Sequence, residues 1–294
     1  MLAPLAAAAD AELVARQAAD RAGVEVADLH DLADLRQVAA LFIEVWKTSI
    51  QDAPCTPQLL RALAHSGNYV AGARLGGELV GAAVAFLHPD RDGLALHSHI
   101  TGVSDAAQGR NVGFALKQHQ RAWALARGIA RVNWTFDPLV RRNAWFNLVK
   151  LGAEGVDYLP SFYGPMLDAI NVGDETDRCL VAWRLEGERA GAAARGRAPE
   201  PSLEALRAAG GGVVLAEGRD GRPATAEPAA AGAGTLLAWV PPDVVALRAS
   251  DPALALQWRW ALRSAIGAAM GRGFVATGMT RSGWYVLEPS RRRP

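Results

Sequence analysis

The chain has 294 residues, with 31 Lys and Arg against 30 Asp and Glu, a formal net charge of +1. That balance lacks the basic surplus a nucleic-acid binder needs, and at 50% hydrophobic the chain can build one large core or two smaller ones. Its two cysteines, Cys55 and Cys179, show no C-x-x-C spacing. They imply neither a disulfide framework nor a zinc site and read as buried thiols in a reducing compartment.

Met1–Ala9 is apolar but has no basic residue before it, and Asp10, Glu12 and Arg16 follow, so no secretory signal is expected. No run of about 18 apolar residues suggests a membrane span. The expected location is the cytoplasm.

Residues 2–22 are Ala-rich and predict a helix ended by Gly23. Val24–Leu29 predicts a short strand. Leu32, Leu35, Val38, Ala39, Phe42, Ile43 and Trp46 recur at helical spacing. Thr56 and Pro57 start a second helix to His65 as cap and first-turn proline. Tyr69–Leu75, Gly76-Gly77 and Glu78–Leu87 read as a hairpin. Leu94–Val103 follows as a strand, Asn111–Arg127 as a helix closed by Gly128, and Ile129–Phe136 as a strand. Leu139–Leu151 then reads as a helix closed by Gly152, and Cys179–Leu185 as a last strand. Residues 187–234 read as linker and long loops, being rich in Ala, Gly, Pro and Arg over 187–200 and 217–234. Beyond them a strand (235–240), a helix (252–270) and a strand (284–287) form a smaller C-terminal αβ region. At under 60 residues it is too small for a strong core of its own, and it is expected to pack on the rest of the chain or on a partner subunit.

The most informative stretch is the loop Ser104–Gly113, which leaves a strand and opens into a helix. Backbone amides at a helix start are unpaired and lie at the positive end of the helix dipole, an arrangement that binds phosphate. Gly109 and Gly113 allow close approach, and Asn111 tolerates left-handed dihedrals. The plain alternative is a helix start with incidental glycines.

The run from Val103 to Gly113, V-x-x-x-x-Q-G-R-N-V-G, resembles the acyl-CoA loop of the GNAT N-acyltransferase superfamily, V-x-P-x-x-R/Q-G-x-G-x-G/A. Asp105 stands for the usual proline and Asn111 for the usual first glycine, and neither removes a backbone amide. Longer motifs resemble one predicted-acetyltransferase family of that superfamily, whose relatives include amino-acid N-succinyltransferases. They are Trp134-Thr135-Phe136-Asp137-Pro138-Leu139, Arg142-Asn143-Ala144, Phe146-Asn147 and Leu151-Gly152-Ala153. Further on come Tyr163-Gly164-x-Met166-x-Asp168-x-x-Asn171-x-Gly173, Thr176-Asp177-Arg178 and Val181-x-Trp183. The likeness is dense over residues 24–185 and looser beyond, as at Trp284–Pro289.

The resemblance implies an α+β fold, a mixed and largely antiparallel sheet flanked by helices and splayed where coenzyme A enters. It implies transfer of an acetyl or succinyl group from a CoA thioester to a primary amine, an amino acid among the candidates. CoA contacts carry over to Gly102, Val103, Gln108, Gly109, Arg110, Asn111, Val112, Gly113, Phe114 and Asn143. The expected partner is a small-molecule amine, with no nucleic acid or membrane, and a homodimer stays open. A non-catalytic acyl-CoA-binding or regulatory protein of the same fold is the alternative. The superfamily's usual Asn and Tyr fall on Arg141 and Leu148, which turns attention to Tyr158 and Tyr163 as proton donors.

His97 and His99 stand two apart on a strand and so share a face, with Thr101 expected there too. Either imidazole suits a proton acceptor for the substrate ammonium; structural packing is the competing role. No third ligand with clear spacing supports a metal. Asp137 can bind the ammonium, orient a histidine or cap the next helix. Arg141 and Arg142 suit a carboxylate or phosphate, or a solvated charge pair. Trp123, Trp134 and Trp145 read as core.

Overall fold

A computed structural model describes residues 2–91, 93–164, 175–226 and 234–290. Its contacts divide the chain into two compact units, Met1–Trp134 with Arg184–Gly187, and Thr135–Trp183 with Glu188–Pro294.

The first unit holds α1 (Leu2–Ala22), β1 (Glu25–Asp28), α2 (Leu32–Trp46), α3 (Pro57–His65), β2 (Tyr69–Leu75), β3 (Glu78–Asp90), β4 (Gly93–Val103) and α4 (Val112–Ala126). β5 (Arg131–Phe136) begins in it. Thr56 caps α3 as expected, its hydroxyl accepting from Leu59 N at 3.2 Å. The strand order is β1-β2-β3-β4-β5, antiparallel throughout except for the parallel pair β4/β5. This is the mixed, largely antiparallel, helix-flanked α+β arrangement expected from the sequence. Leu185 returns to this unit, donating its N–H to Ala130 O at 3.0 Å.

Two faces of this sheet are told apart by neighbouring residues of β3. Ala82 and Val84 join the core cluster of α2 and α3, with Leu35, Val38, Phe42 and Leu60. Gly81 faces the other way, where a Cβ would meet Val112 at 3.0 Å and Leu116 at 3.2 Å of α4. A missing side chain on β3 thus lets α4 settle closely on the sheet, and α1 packs along α4.

The second unit contains α5 (Arg141–Trp145), β6 (Glu154–Leu159), β7 (Arg178–Arg184), α6 (Glu188–Ala194), α7 (Leu203–Ala208), β8 (Gly212–Glu217) and β9 (Pro223–Thr225). It continues with β10 (Leu236–Trp239), α8 (Val244–Ser250), α9 (Pro252–Leu262), α10 (Ala268–Gly271), β11 (Phe274–Met279) and β12 (Trp284–Pro289). Its strand order is β7-β6-β11-β12-β10-β8-β9. The region read as linker therefore carries α6, α7, β8 and β9. Alanine forms helix readily, and Ala190, Ala193 and Ala194 of α6 are buried. The C-terminal elements pack on the stretch after residue 135: Ala276 of β11 pairs with Gly155 of β6, and Tyr285 donates its hydroxyl hydrogen to Pro138 O at 2.7 Å. Among the described residues, no helix is long and apolar enough to cross a membrane. Cys55 and Cys179 are buried free thiols, pushed up to about 11 and about 12 by that burial.

Candidate active site

The loop expected to hold phosphate has the backbone such a role needs. Gly109 has φ +79° and Asn111 φ +64°, left-handed values that glycine and asparagine adopt most easily. Gln108 donates its N–H to Asp105 O and Arg110 to Ala107 O, while the Gln108 side-chain amide donates to the Asp105 carboxylate. The N–H groups of Gly109, Val112 and Gly113 have no partner among the described residues. Three unsatisfied donors thus gather at the N-terminus of a 15-residue helix. Gln108, Gly109, Arg110 and Asn111 are exposed, whereas Val112 and Phe114 are buried and anchor the helix start. A Cβ on Gly113 would meet only Val103, at 3.9 Å.

β4 has one open edge beside this loop. Its pairing with β5 consists of Leu96 with Val132 and His97 with Asn133, and from Ser98 onward that side has no strand partner among the described residues. Ser104 donates its N–H to Val80 O at 2.9 Å. By antiparallel alternation Gly102 N–H also turns to β3, and Thr101 and Val103 N–H turn to the open edge. Of the expected pair Gly102 and Val103, only Val103 therefore offers an amide there. Gly102 serves packing: a Cβ on it would lie 2.8 Å from the Trp46 ring and 3.3 Å from Phe42.

A bulge on β4 shapes the histidine pair. The register runs Val84 to Ile100 and Ala85 to Ser98, so His99 is the extra residue. Bulges re-aim side chains. Ser98 reaches α4, bonding to Lys117, while Ile100 and Gly102 face α2; the alternation has shifted by one. Thr101 consequently faces α4, not the side of His97 and His99 as simple alternation predicts. The two imidazoles do lie together, with ring centroids 6.4 Å apart. His97 stacks on Phe86 at 4.9 Å, its register partner. Neither imidazole has a hydrogen-bond partner among the described residues.

His88, which the sequence reading passed over, completes this face, 6.5 Å from the His97 ring. Its Nδ1–H donates to Pro89 O at 2.9 Å, leaving Nε2 to accept from the Asn133 amide at 3.5 Å. Alternation of Phe86 and His88 opposite His97 was the available signal. Desolvation, helped by the nearby His99, His88 and Lys117, lowers His97 to about 4. Partial desolvation lowers His99 as well, although it reaches solvent. Both are neutral near pH 7 and have a lone pair to offer.

Asp137, Asn143 and Tyr163 belong to the second unit. Asp137 is an ion-pair centre: Arg259 donates to both of its oxygens at 2.7 and 2.9 Å, and Arg248 to Oδ2 at 2.6 Å. Its Oδ1 also accepts from Leu139 N at 2.9 Å, a local turn ahead of the helix and not a cap. α5 begins at Arg141, two residues later than expected, and its N-cap position is Val140, which makes no side-chain bond. Burial alone would raise the Asp137 carboxyl, but the two guanidiniums outweigh it and hold it well below the usual range. A carboxylate so held takes up no proton near neutrality, and we assign it the ion pair, not a base role.

Arg141 donates to Val240 O and lies over the Trp239 ring, so it serves packing; Arg142 and Asn143 are exposed on α5. Leu148, at the usual tyrosine position, is buried. Tyr158 donates its hydroxyl hydrogen to Asp177 at 2.7 Å, and burial with that carboxylate raises its pKa, so it is no ready proton donor. Tyr163 is 44% exposed, its hydroxyl 3.4 Å from Thr135 Oγ1. Met166, Asp168, Asn171 and Gly173 of the longer motif lie outside the described residues.

The model of the acetyltransferase (GNAT) domain matches residues 10–138. No curated protein matches the chain. Similar solved structures include a GNAT-family acetyltransferase from Streptococcus pneumoniae, 12% identical over 54% of this chain and 97% of that one, with a TM-score of 0.45. The ribosomal-protein-S18-alanine N-acetyltransferase of Escherichia coli is 15% identical over 56% and 97%, TM-score 0.43. Arabidopsis thaliana Naa50, in complex with a bisubstrate CoA analogue, is 17% identical over 54% and 97%, TM-score 0.42. Residues 10–138, which hold the strands β1–β5 and the helices α2–α4, are thus similar to an acetyltransferase domain of the GNAT type.

Proposed function

We propose that the chain moves an acetyl or succinyl group from a CoA thioester to the primary amine of a small molecule, amino acids among the acceptors. The observation that carries this reading is the set of unpartnered N–H groups of Gly109, Val112 and Gly113 at the start of α4, beside the open edge of β4. Those donors suit the CoA pyrophosphate. The Val103 N–H on the open edge suits the thioester carbonyl, where it would stabilise charge as the tetrahedral centre forms. His97 or His99, neutral and without an internal partner, takes the proton from the substrate ammonium, directly or through a water. The freed amine attacks the carbonyl carbon, the C–N bond forms, and the C–S bond breaks, with the nitrogen's remaining excess proton passing to the departing thiolate or to solvent. The CoA thiolate is a good leaving group, so the reading needs no tyrosine acid.

The test is thiol release from acetyl-CoA and succinyl-CoA against a panel of amines, with CoA binding measured alongside. Amine-dependent release is the expected result. Tight CoA binding with no release for any amine would leave a binding protein and overturn the enzymatic reading.

A further inference from the structure

Behind the histidine pair, on the α4 face of β4, lies a buried polar group that the reaction above does not use. Lys117 of α4 is 5% exposed. Its Nζ donates to Ser98 Oγ at 2.7 Å and to Gln120 Oε1 at 3.1 Å, and it lies 4.1 Å from the Trp134 ring centroid. No carboxylate pairs with it among the described residues. Gln120 is fully buried, and its Nε2 has no partner. Taking an amine and an amide out of water is costly without full compensation. Burial accordingly pushes Lys117 down to about 7. No ion pair among the described residues offsets this cost, so the amine's role lies in what it holds in place.

What it holds is Ser98. This residue stands between His97 and His99, directly before the bulge, and is the first residue of β4 past the last β5 pair. A bulge leaves one residue out of the ladder, so backbone pairing alone fixes weakly which residue is extra. The Lys117–Ser98 bond fixes it from the other face. It also ties β4 to the helix whose N-terminus carries the phosphate-binding loop.

We propose that Lys117 is a positioning residue, whose hydrogen bond to Ser98 locks the bulge at His99 and thereby aims both imidazoles at the acceptor amine. The proposal rests on the acyltransferase reading for the roles of His97, His99 and the loop. Lys117→Met keeps the length of the side chain without its amine, and Ser98→Ala removes a single oxygen. Each is expected to lower kcat by up to about 10²-fold, the scale of a misplacement near 1 Å, while CoA affinity stays at the wild-type level. The double variant should lose no more than either single, because the two groups share one bond. The imidazole proton resonances of His97 and His99 should move in every variant.

A lowered melting temperature with unchanged kcat would mark a merely structural lysine and overturn the proposal, as would losses that multiply in the double variant. If Lys117→Met does not fold, Ser98→Ala carries the test. Unmoved imidazole signals overturn the tie whether or not an acceptor amine is known. Moved signals with no transfer to any amine would leave the tie standing and sink the acyltransferase reading instead.

Discussion

His97→Gln or His99→Gln is expected to lower kcat by about 10²–10⁴-fold, the usual cost of losing a general base, with CoA affinity unchanged. Glutamine keeps the size and some hydrogen bonding of histidine, so a packing role would survive the exchange. The pH profile adds a second readout. A base works in its neutral form, so the rate falls as pH drops through its pKa. His97 lies at about 4 and His99 below its ordinary value. The acid limb of kcat should therefore lie below about 6.5, where an unperturbed imidazole titrates. Wild-type rates and an unchanged acid limb in both variants would remove the histidines from the mechanism.

Asp137→Ala is expected to destabilise the second unit by about 3–5 kcal/mol, the cost of removing one side of a buried ion pair. Arg259 is fully buried and would lose both of its bonds to the carboxylate, and Leu139 N would lose its acceptor. The sign with pH follows from the lowered folded-state pKa. The stabilisation is fully present above the unfolded carboxylate value near 3.9 and is lost as pH falls below it toward the folded value. Urea denaturation of wild type and variant should show the full difference at pH 7 and a smaller one below pH 4. Equal stability at pH 7 would contradict the ion-pair assignment.

The contrast between these two sites shows what the chain discloses in its order of residues. The helices α2 and α3, the Gly76-Gly77 hairpin, β4 and the loop into α4 are local features, marked by spacing, a cap and glycines within a few residues of one another. The partners of Asp137 lie 111 and 122 residues away, so no local pattern could show that its carboxylate is taken. The bulge at His99 is a single extra residue with no compositional mark, and it turned Thr101 to the opposite face. His88 needed the register of β3 against β4. Helix α6 was hidden because its alanines stand among the glycines and arginines of residues 187–200, although three of them are buried.

The central claim is that CoA binds with its pyrophosphate on the amides that open α4, and a calorimetric titration of CoA into wild type and Gly113→Val tests it most directly. A first side-chain carbon at this position meets only Val103, at ordinary contact distance, so the fold should accept the change while the side chain intrudes into the phosphate cradle. The account predicts binding by wild type and a loss of about tenfold or more in the variant, the worth of one hydrogen bond to a charged group. Equal CoA affinity in the two folded proteins would contradict it.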